Sequence, residues 1–409
     1  MSTPRENLQL RSLIPRALRY WYARRQRNRF ESRLHASARG IIEKDARGEL
    51  GPDPGAERAN ALAVKWLCLA QDQSTSADGG VARHFSLVDG WSPSYPEATG
   101  FIVPTLLHEA SVTHDAALKK RVRRMLDWFL TIQHAEGGFQ GGMIGANPNV
   151  PVTFNTGQIL LGLCAGASEF RDGRYFESAR RAADWLVQSQ DPDGAWRRHP
   201  TPFAQPGEKA YETHVSWAMF EAERVMPGRG YGAAGLRQVE WALTKQHPNG
   251  WFDDCCLDGP EEPLTHTLGY VLRGVLEAYR LHQQDGLLRA AEVTGRAFLQ
   301  LIEPSGRLAG RFDRDWKPAA PWVCLTGTVQ IAKCWLMLAQ YTREAAYVEA
   351  ARRANAFVRR TLTLQGEPGV VGGVRGSWPI AGAYGRYQFL CWAAKFMIDA
   401  NRAELELPG

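Results

Sequence analysis

The chain has 409 residues, 44% of them hydrophobic, and a formal net charge of +6. That apolar fraction excludes a disordered chain, and no window is long and apolar enough to span a membrane. Residues 1–40 hold ten arginines and two glutamates, so the remainder is slightly acidic and nothing in it invites a nucleic-acid backbone.

Residues 1–45 form a basic extension with aromatics at Tyr20, Trp21, Tyr22 and Phe30. Two readings of residues 10–39 stand open. One is a basic amphipathic helix held peripherally on anionic membrane; the other is an extra outer helix with a solvated cationic face. Residues 46–58, rich in Gly and Pro, read as a linker. Residues 59–409 read as one domain.

That domain is periodic. An aromatic near the end of an amphipathic helix, followed by a Gly-bearing turn, recurs at Trp66, Trp128, Trp185, Trp241, Phe298 and Phe357. The spacing is 56 to 62 residues, enough for two helices and their loops. The stretch from Trp185 through Asp191-Pro192-Asp193-Gly194-Ala195-Trp196 to Tyr211-Glu212-Thr213-His214 shows one complete junction. The second helix of each unit is apolar nearly all round, as in Ile159–Cys164, and must be buried on several sides. The first, as in Lys119–Leu130, carries a charged face and lies outside. Six alternations of inner and outer helices predict an all-α (α/α)6 toroid.

In a toroid the inner helices run the same way, so their N-termini meet at one mouth. Residues at the aligned starts should converge there: Glu97, Asn155, His214, His266, Thr326 and, with the sixth helix opening around Tyr384–Tyr387, Arg386. Tyr211 and Tyr384 stand just before two of these starts. The helix N-termini favour an anionic group at this mouth. Trp91, Trp196, Trp251, Trp322 and Trp378 sit in the loops, where exposed aromatic faces suit sugar rings. Two histidines at equivalent levels, His214 and His266, are the sharpest signal. Asp254 follows an aromatic turn and faces either the mouth or solvent.

The glycine-rich loop after Gly137 has neither a strand before it nor Lys-Ser/Thr after it, so it is not a phosphate loop. The seven cysteines show no paired zinc spacing, and Cys164, Cys324, Cys334 and Cys391 fall in apolar runs as small core residues. No cofactor and no metal are expected. With reduced thiols and no secretory signal, a soluble cytoplasmic protein is expected.

Over about residues 60–400 the pattern resembles six-hairpin carbohydrate enzymes: glycoside hydrolases, polysaccharide lyases and uronate C5-epimerases. Phe154–Gln158, Tyr211–Ala218, Thr265–Tyr270 and Trp392–Phe396 resemble an uncharacterised family found with bacterial exopolysaccharide biosynthesis genes. That resemblance implies an acidic oligo- or polysaccharide partner. It implies lyase or epimerase chemistry, with Asn155 and Arg386 neutralising a uronate carboxylate and His214, Tyr211 and His266 as base and acid. A hydrolase would use a carboxylate pair, Glu97 with Asp254. A non-catalytic glycan-binding toroid is a third reading. Gln190–Trp196 also resembles the Gln/Trp repeat of triterpene cyclases and their prenyltransferase relatives, which would imply zinc on Asp254, Cys255 or Cys256, and His266.

Overall fold

The computed structural model describes residues 32–34 and 36–407. Of the basic extension, only its last part falls among them, so the helix expected over residues 10–39 lies mostly outside the described residues. After α1 (Ala36–Ala46), twelve helices alternate between two chemical types. α2 (Ala56–Asp72), α4 (Ala116–Ile132), α6 (Gly173–Ser189), α8 (Tyr231–Leu243), α10 (Asp285–Leu299) and α12 (Ala345–Arg360) each bury one stripe and stand outside. α3 (Pro96–Thr113), α5 (Thr153–Phe170), α7 (Thr213–Val225), α9 (Thr265–His282), α11 (Leu325–Thr342) and α13 (Cys391–Leu405) are buried over most of their surface and form the inner ring. Each inner helix packs on the next, and α13 packs back on α3 and on α2, closing an (α/α)6 toroid. α2 begins at Ala56, inside the expected linker.

The two ends of the ring are built differently. At one end four of the five inner-to-outer connections are tight two-residue turns, while α7 reaches α8 through residues 226–230. Each of the tight turns starts with a left-handed non-glycine residue: His114, Arg171, Gln283 and Arg343. Asp115 and Asp172 then cap α4 and α6 by accepting backbone N–H groups of the first turn. At the other end every outer-to-inner connection is long. Each carries a left-handed glycine: Gly79, Gly137, Gly194, Gly250, Gly306 and Gly372. These glycines sit against the backbone of the following outer helix. A Cβ on Gly194 would lie 2.5 Å from Arg237 O, and one on Gly306 would lie 2.2 Å from Arg353 O. Gly372 abuts Leu62 of α2 in the same way, so the last junction docks on the first helix.

Polar groups lock the closure. Arg359 of α12 grips Asp53 through two contacts of 2.8 Å and also reaches Asn401 and Glu404 of α13. Arg402 of α13 holds Glu109 of α3 at 2.8 and 2.9 Å.

Among the described residues, strands are confined to the long loops. β1 (His84–Ser86) lies between β2 (Gly90–Trp91) and β5 (Gln388–Leu390), both antiparallel, with Phe85 opposite Trp91 and Phe389. β3 (Val323–Cys324) pairs with β4 (Ser377–Trp378). These pairings correct one expectation. The sixth inner helix opens at Cys391, not around Tyr384–Tyr387, because residues 388–390 spend their backbone hydrogen bonds on β1 and both Gly385 and Tyr387 have positive φ.

Gly306→Ala combines a strained φ of +88° with a collision on backbone. It should cost about 2 kcal/mol or more in chemical denaturation. Gly228→Ala, with φ +79° and no atom within 4 Å, should cost about 1 kcal/mol. Equal losses would remove the collision as the cause.

Candidate active site

A cavity of about 360 Å³ opens at the mouth where the inner helices begin. Its lining comes from the starts of α3, α5, α7, α9 and α13 and from the loops above them. Glu97, Asn155, Tyr211, His266 and Tyr384 are all there, as expected. They are joined by Arg83, Tyr95, Tyr270 and Trp392. A larger cavity of about 510 Å³ lies between α1 and the loop after α12 and touches none of the inner-helix starts.

Glu97 is the centre of the polar network. Tyr95 donates its hydroxyl to Glu97 Oε2 at 2.5 Å, and Asn155 Nδ2 donates to the same oxygen at 3.0 Å. Although Glu97 keeps some surface open to the cavity, the mass of protein around it strips its hydration. Burial raises its pKa to about 7, outweighing the two hydrogen bonds and Arg83, which act the other way. Burial also pushes the phenols of Tyr95, Tyr211, Tyr270 and Tyr384 well above their usual range. All four therefore stay protonated near neutrality, and Tyr211 is a hydrogen-bond donor rather than a ready base.

His266 lines the same cavity from α9. Its Nδ1 lies 2.6 Å from Gln330 Oε1, an amide acceptor that fixes the proton on Nδ1 and leaves Nε2 with the lone pair. Burial lowers its pKa to about 4, so the ring is neutral near pH 7. His214 has the mirrored arrangement on α7, with Nδ1 2.7 Å from Gln158 Oε1. It does not line the cavity. Its ring is fully buried, and Nε2 has no hydrogen-bond partner. Its ring packs 4.4 Å from Tyr270, while His266 packs 4.3 Å from the same ring. Tyr270 is thus clasped between the two imidazoles, with His214 one layer below the cavity.

Among the described residues, Arg83 is the sole Lys or Arg side chain on the cavity wall. Its guanidinium carbon sits 4.8 Å above the Trp392 ring, and Nη1 reaches Gln388 Oε1 and His84 Nδ1. The β1–β5 pairing brings it there, beside Trp392, whose indole N–H donates to the Tyr384 hydroxyl at 2.8 Å.

Other expected residues lie elsewhere. Arg386 is in the turn before β5 and is not on the cavity wall. Asp254 Oδ2 pairs with Lys245 at 3.0 Å, outside the cavity. The loop tryptophans are wedged into the ring rather than displayed. Trp196 is buried and donates to Leu186 O, and Trp251 and Trp378 are buried, the latter against Phe357. Trp322 packs with Cys256, Leu264 and Cys324, and Trp91 with Trp66 and Phe85. The rim is instead made by Met143, Ala146, Phe203 and Leu257.

All seven cysteines are free thiols. Among the described residues no three His, Cys, Asp or Glu side chains gather as a metal site. Cys256 turns toward Asp258 and Arg311, leaving the donor set of the zinc reading dispersed. No described helix is long and apolar enough to cross a membrane.

No protein-family model and no curated protein matches the chain. Solved structures do match its fold. An unsaturated glucuronyl hydrolase specific for heparin superposes with a TM-score of 0.68 at 14% identity, covering 86% of this chain and 97% of its own. A cellobiose 2-epimerase from Bacillus thermoamylovorans gives 0.68 at 10% identity, covering 84% and 97%. A glycosyl hydrolase of family 88 from Bacteroides vulgatus gives 0.59 at 9% identity, covering 85% and 99%. The chain is an α/α toroid like these carbohydrate-acting proteins.

Four lining residues were not singled out from the sequence. Tyr270 stands four positions after His266 on the same helix, and Tyr95 two before Glu97, so both carried a local signal. Trp392 did so only through the quoted motif. Arg83 carried none, since strand pairing places it.

The Glu97 carboxyl has a sign that can be checked by stability. Its folded pKa, about 7, exceeds the ordinary value of 4.5, so the folded state holds the proton more tightly. That contribution is full below pH 4.5 and is lost as pH rises through 7. Glu97→Gln should therefore gain on the wild type, by up to about 3 kcal/mol, as denaturation is repeated from pH 5 to pH 8. A difference that shrinks with pH would contradict the burial.

Proposed function

We propose that this protein is a carbohydrate-modifying enzyme that transfers a proton at carbon in an acidic sugar, as a lyase or a C5-epimerase. One observation carries the reading. A neutral imidazole and a carboxyl with a pKa near 7 line one small cavity with a single guanidinium. The proton beside a carboxylate is weakly acidic until that carboxylate's charge is offset. Arg83 is placed to offset it, with the second N–H of Asn155 and the tyrosine hydroxyls as donors. His266 Nε2 then takes the C5 proton, and its electron pair moves into the carboxylate. In a lyase the pair returns to form the C4–C5 double bond as O4 leaves with the Glu97 proton. In an epimerase C5 is reprotonated from the opposite face.

The cavity supports this over glycoside hydrolysis by a carboxylate pair. Among its lining residues Glu97 is the one carboxylate, and Asp254 is paired with Lys245 outside. The wall is drawn from five of the six units, which makes a pocket on the ring axis rather than a groove across the mouth. A pocket admits a small saccharide or a chain end. The resemblance to exopolysaccharide-associated proteins fits an enzyme acting on such an end during assembly.

Proton NMR in heavy water on a panel of uronate-containing and neutral oligosaccharides tests the class. Loss of the C5 signal, with or without vinyl signals, is expected. New reducing ends without C5 exchange would mean hydrolysis, and binding without turnover would leave a glycan-binding toroid. Glu97→Gln and His266→Ala should each lower kcat by about 10²- to 10⁴-fold, while Asp254→Asn should stay near wild type.

The pH profile follows from the same two groups. The base must be neutral and the acid protonated, so kcat should rise through a pKa of about 4 and fall through about 7. Glu97→Gln should erase the upper limb from the residual rate. An upper limb that survives in this variant would assign the acid elsewhere.

A further inference from the structure

The ring has a second opening, where the inner helices end. There the bore holds a separate cavity of about 160 Å³, walled by side chains of α3, α7, α9, α11 and α13. Four cations line it: Arg273, Lys333, Lys395 and Arg402. His214, Trp217 and Phe396 pack as a layer between this space and the active-site cavity, so the two are distinct.

Three of the four cations have a fixed counter-ion. Arg273 holds Glu277 at 2.6 Å, Arg402 holds Glu109 at 2.8 Å, and Lys395 holds Asp399 at 2.7 Å. Asp399 is also fixed by the Thr105 hydroxyl, and the remaining lining carboxylate, Glu406, is taken by His108 Nε2 at 2.9 Å. Lys333 is the exception, with no carboxylate within 4.0 Å among the described residues. It stands on an inner helix beside Arg273, a like charge, while Asp399, Glu277 and Glu406 attract it from beyond ion-pair distance. Lys395 is 1% exposed, and its one ion pair leaves two of its three donors for other partners. A lysine held in a recess without a directly paired counter-ion is costly, and an anion from solution would supply that close partner.

We infer that this far cavity binds a small oxyanion, a phosphate either free or at the end of a metabolite, with Lys333 and Lys395 as its principal partners. The space accommodates a phosphate group and is too small for a nucleotide. Lys333 contributes charge with no carboxylate paired to it, Lys395 contributes a buried donor, and Arg273 and Arg402, each already clamped by glutamate, fix the field around them. A ligand there would bridge the neighbouring inner helices α11 and α13 and so reinforce the ring on the side opposite the proposed active site.

Thermal melting of the full chain tests this without reference to turnover. Inorganic phosphate is titrated against sodium chloride of equal ionic strength, with glucose 6-phosphate as a parallel arm. A rise in Tm that follows phosphate and not chloride is expected. A larger rise with glucose 6-phosphate would identify the terminal phosphate of a metabolite; an equal or smaller one would identify free phosphate. Lys333→Met, close to isosteric, should weaken the apparent affinity by about tenfold or more, and Lys333→Arg should restore it. Glu97→Gln should leave the phosphate response intact, which separates this site from the proposed catalytic one. A phosphate response no larger than that of chloride, or one unchanged in Lys333→Met, overturns the inference.

Discussion

The ring depends on one repeated contact: an outer helix turns inward on a glycine whose backbone lies against the next outer helix. Side chains reinforce it. Gln133 donates both to Gly137 O of its own turn and to Ser178 O of α6, and Gln190 donates to Gly194 O and to Ala234 O of α8. Gln71 does the same between Gly79 and Arg121. A buried amide serving two carbonyls ties turn, helix and neighbour into one unit, and losing it leaves those acceptors unpaired. Because each turn fixes the distance to the next hairpin, six of them set the ring's circumference, and the docking of Gly372 on α2 closes it.

Closure decides what the centre can contain. Inner helices approach closely enough that a Cβ on Gly162 would lie 2.4 Å from Gly100 O. Such packing surrounds the polar groups near the axis with protein and strips part of their hydration. That is why a carboxyl at the start of α3 is raised, although a helix N-terminus alone would lower it. It is also why His266 is held neutral. Desolvation thus moves an acid and a base in opposite directions within one cavity, the condition for proton transfer near neutral pH.

The same geometry separates positioning from contact. His214 and His266 occupy equivalent places in the repeat, each bound through Nδ1 to a glutamine. Yet a 3₁₀ turn, Ala210–Glu212, precedes α7 and carries Tyr211 to the wall while His214 falls beneath it. Repeat symmetry therefore fixes a residue's level only to within about a helical turn, which suffices to convert a lining group into a supporting one.

By itself the sequence determined the alternation of helices, the number of hairpins, the mouth at which the cavity lies, and five residues of its wall. These follow from local periodicity: an amphipathic stripe, an apolar inner helix and a turn glycine each have a signature within one repeat. Tertiary structure alone decided the rest. Arg83 reaches the cavity through a strand paired with residues some 300 positions away. The loop tryptophans pack on helices instead of facing solvent, Trp378 on Phe357 and Trp91 on Trp66. Arg386 left the mouth when β5 displaced the start of the last helix. The protonation of Glu97 and His266 depends on the density of protein around them, which the ring creates only when its last helix meets its first.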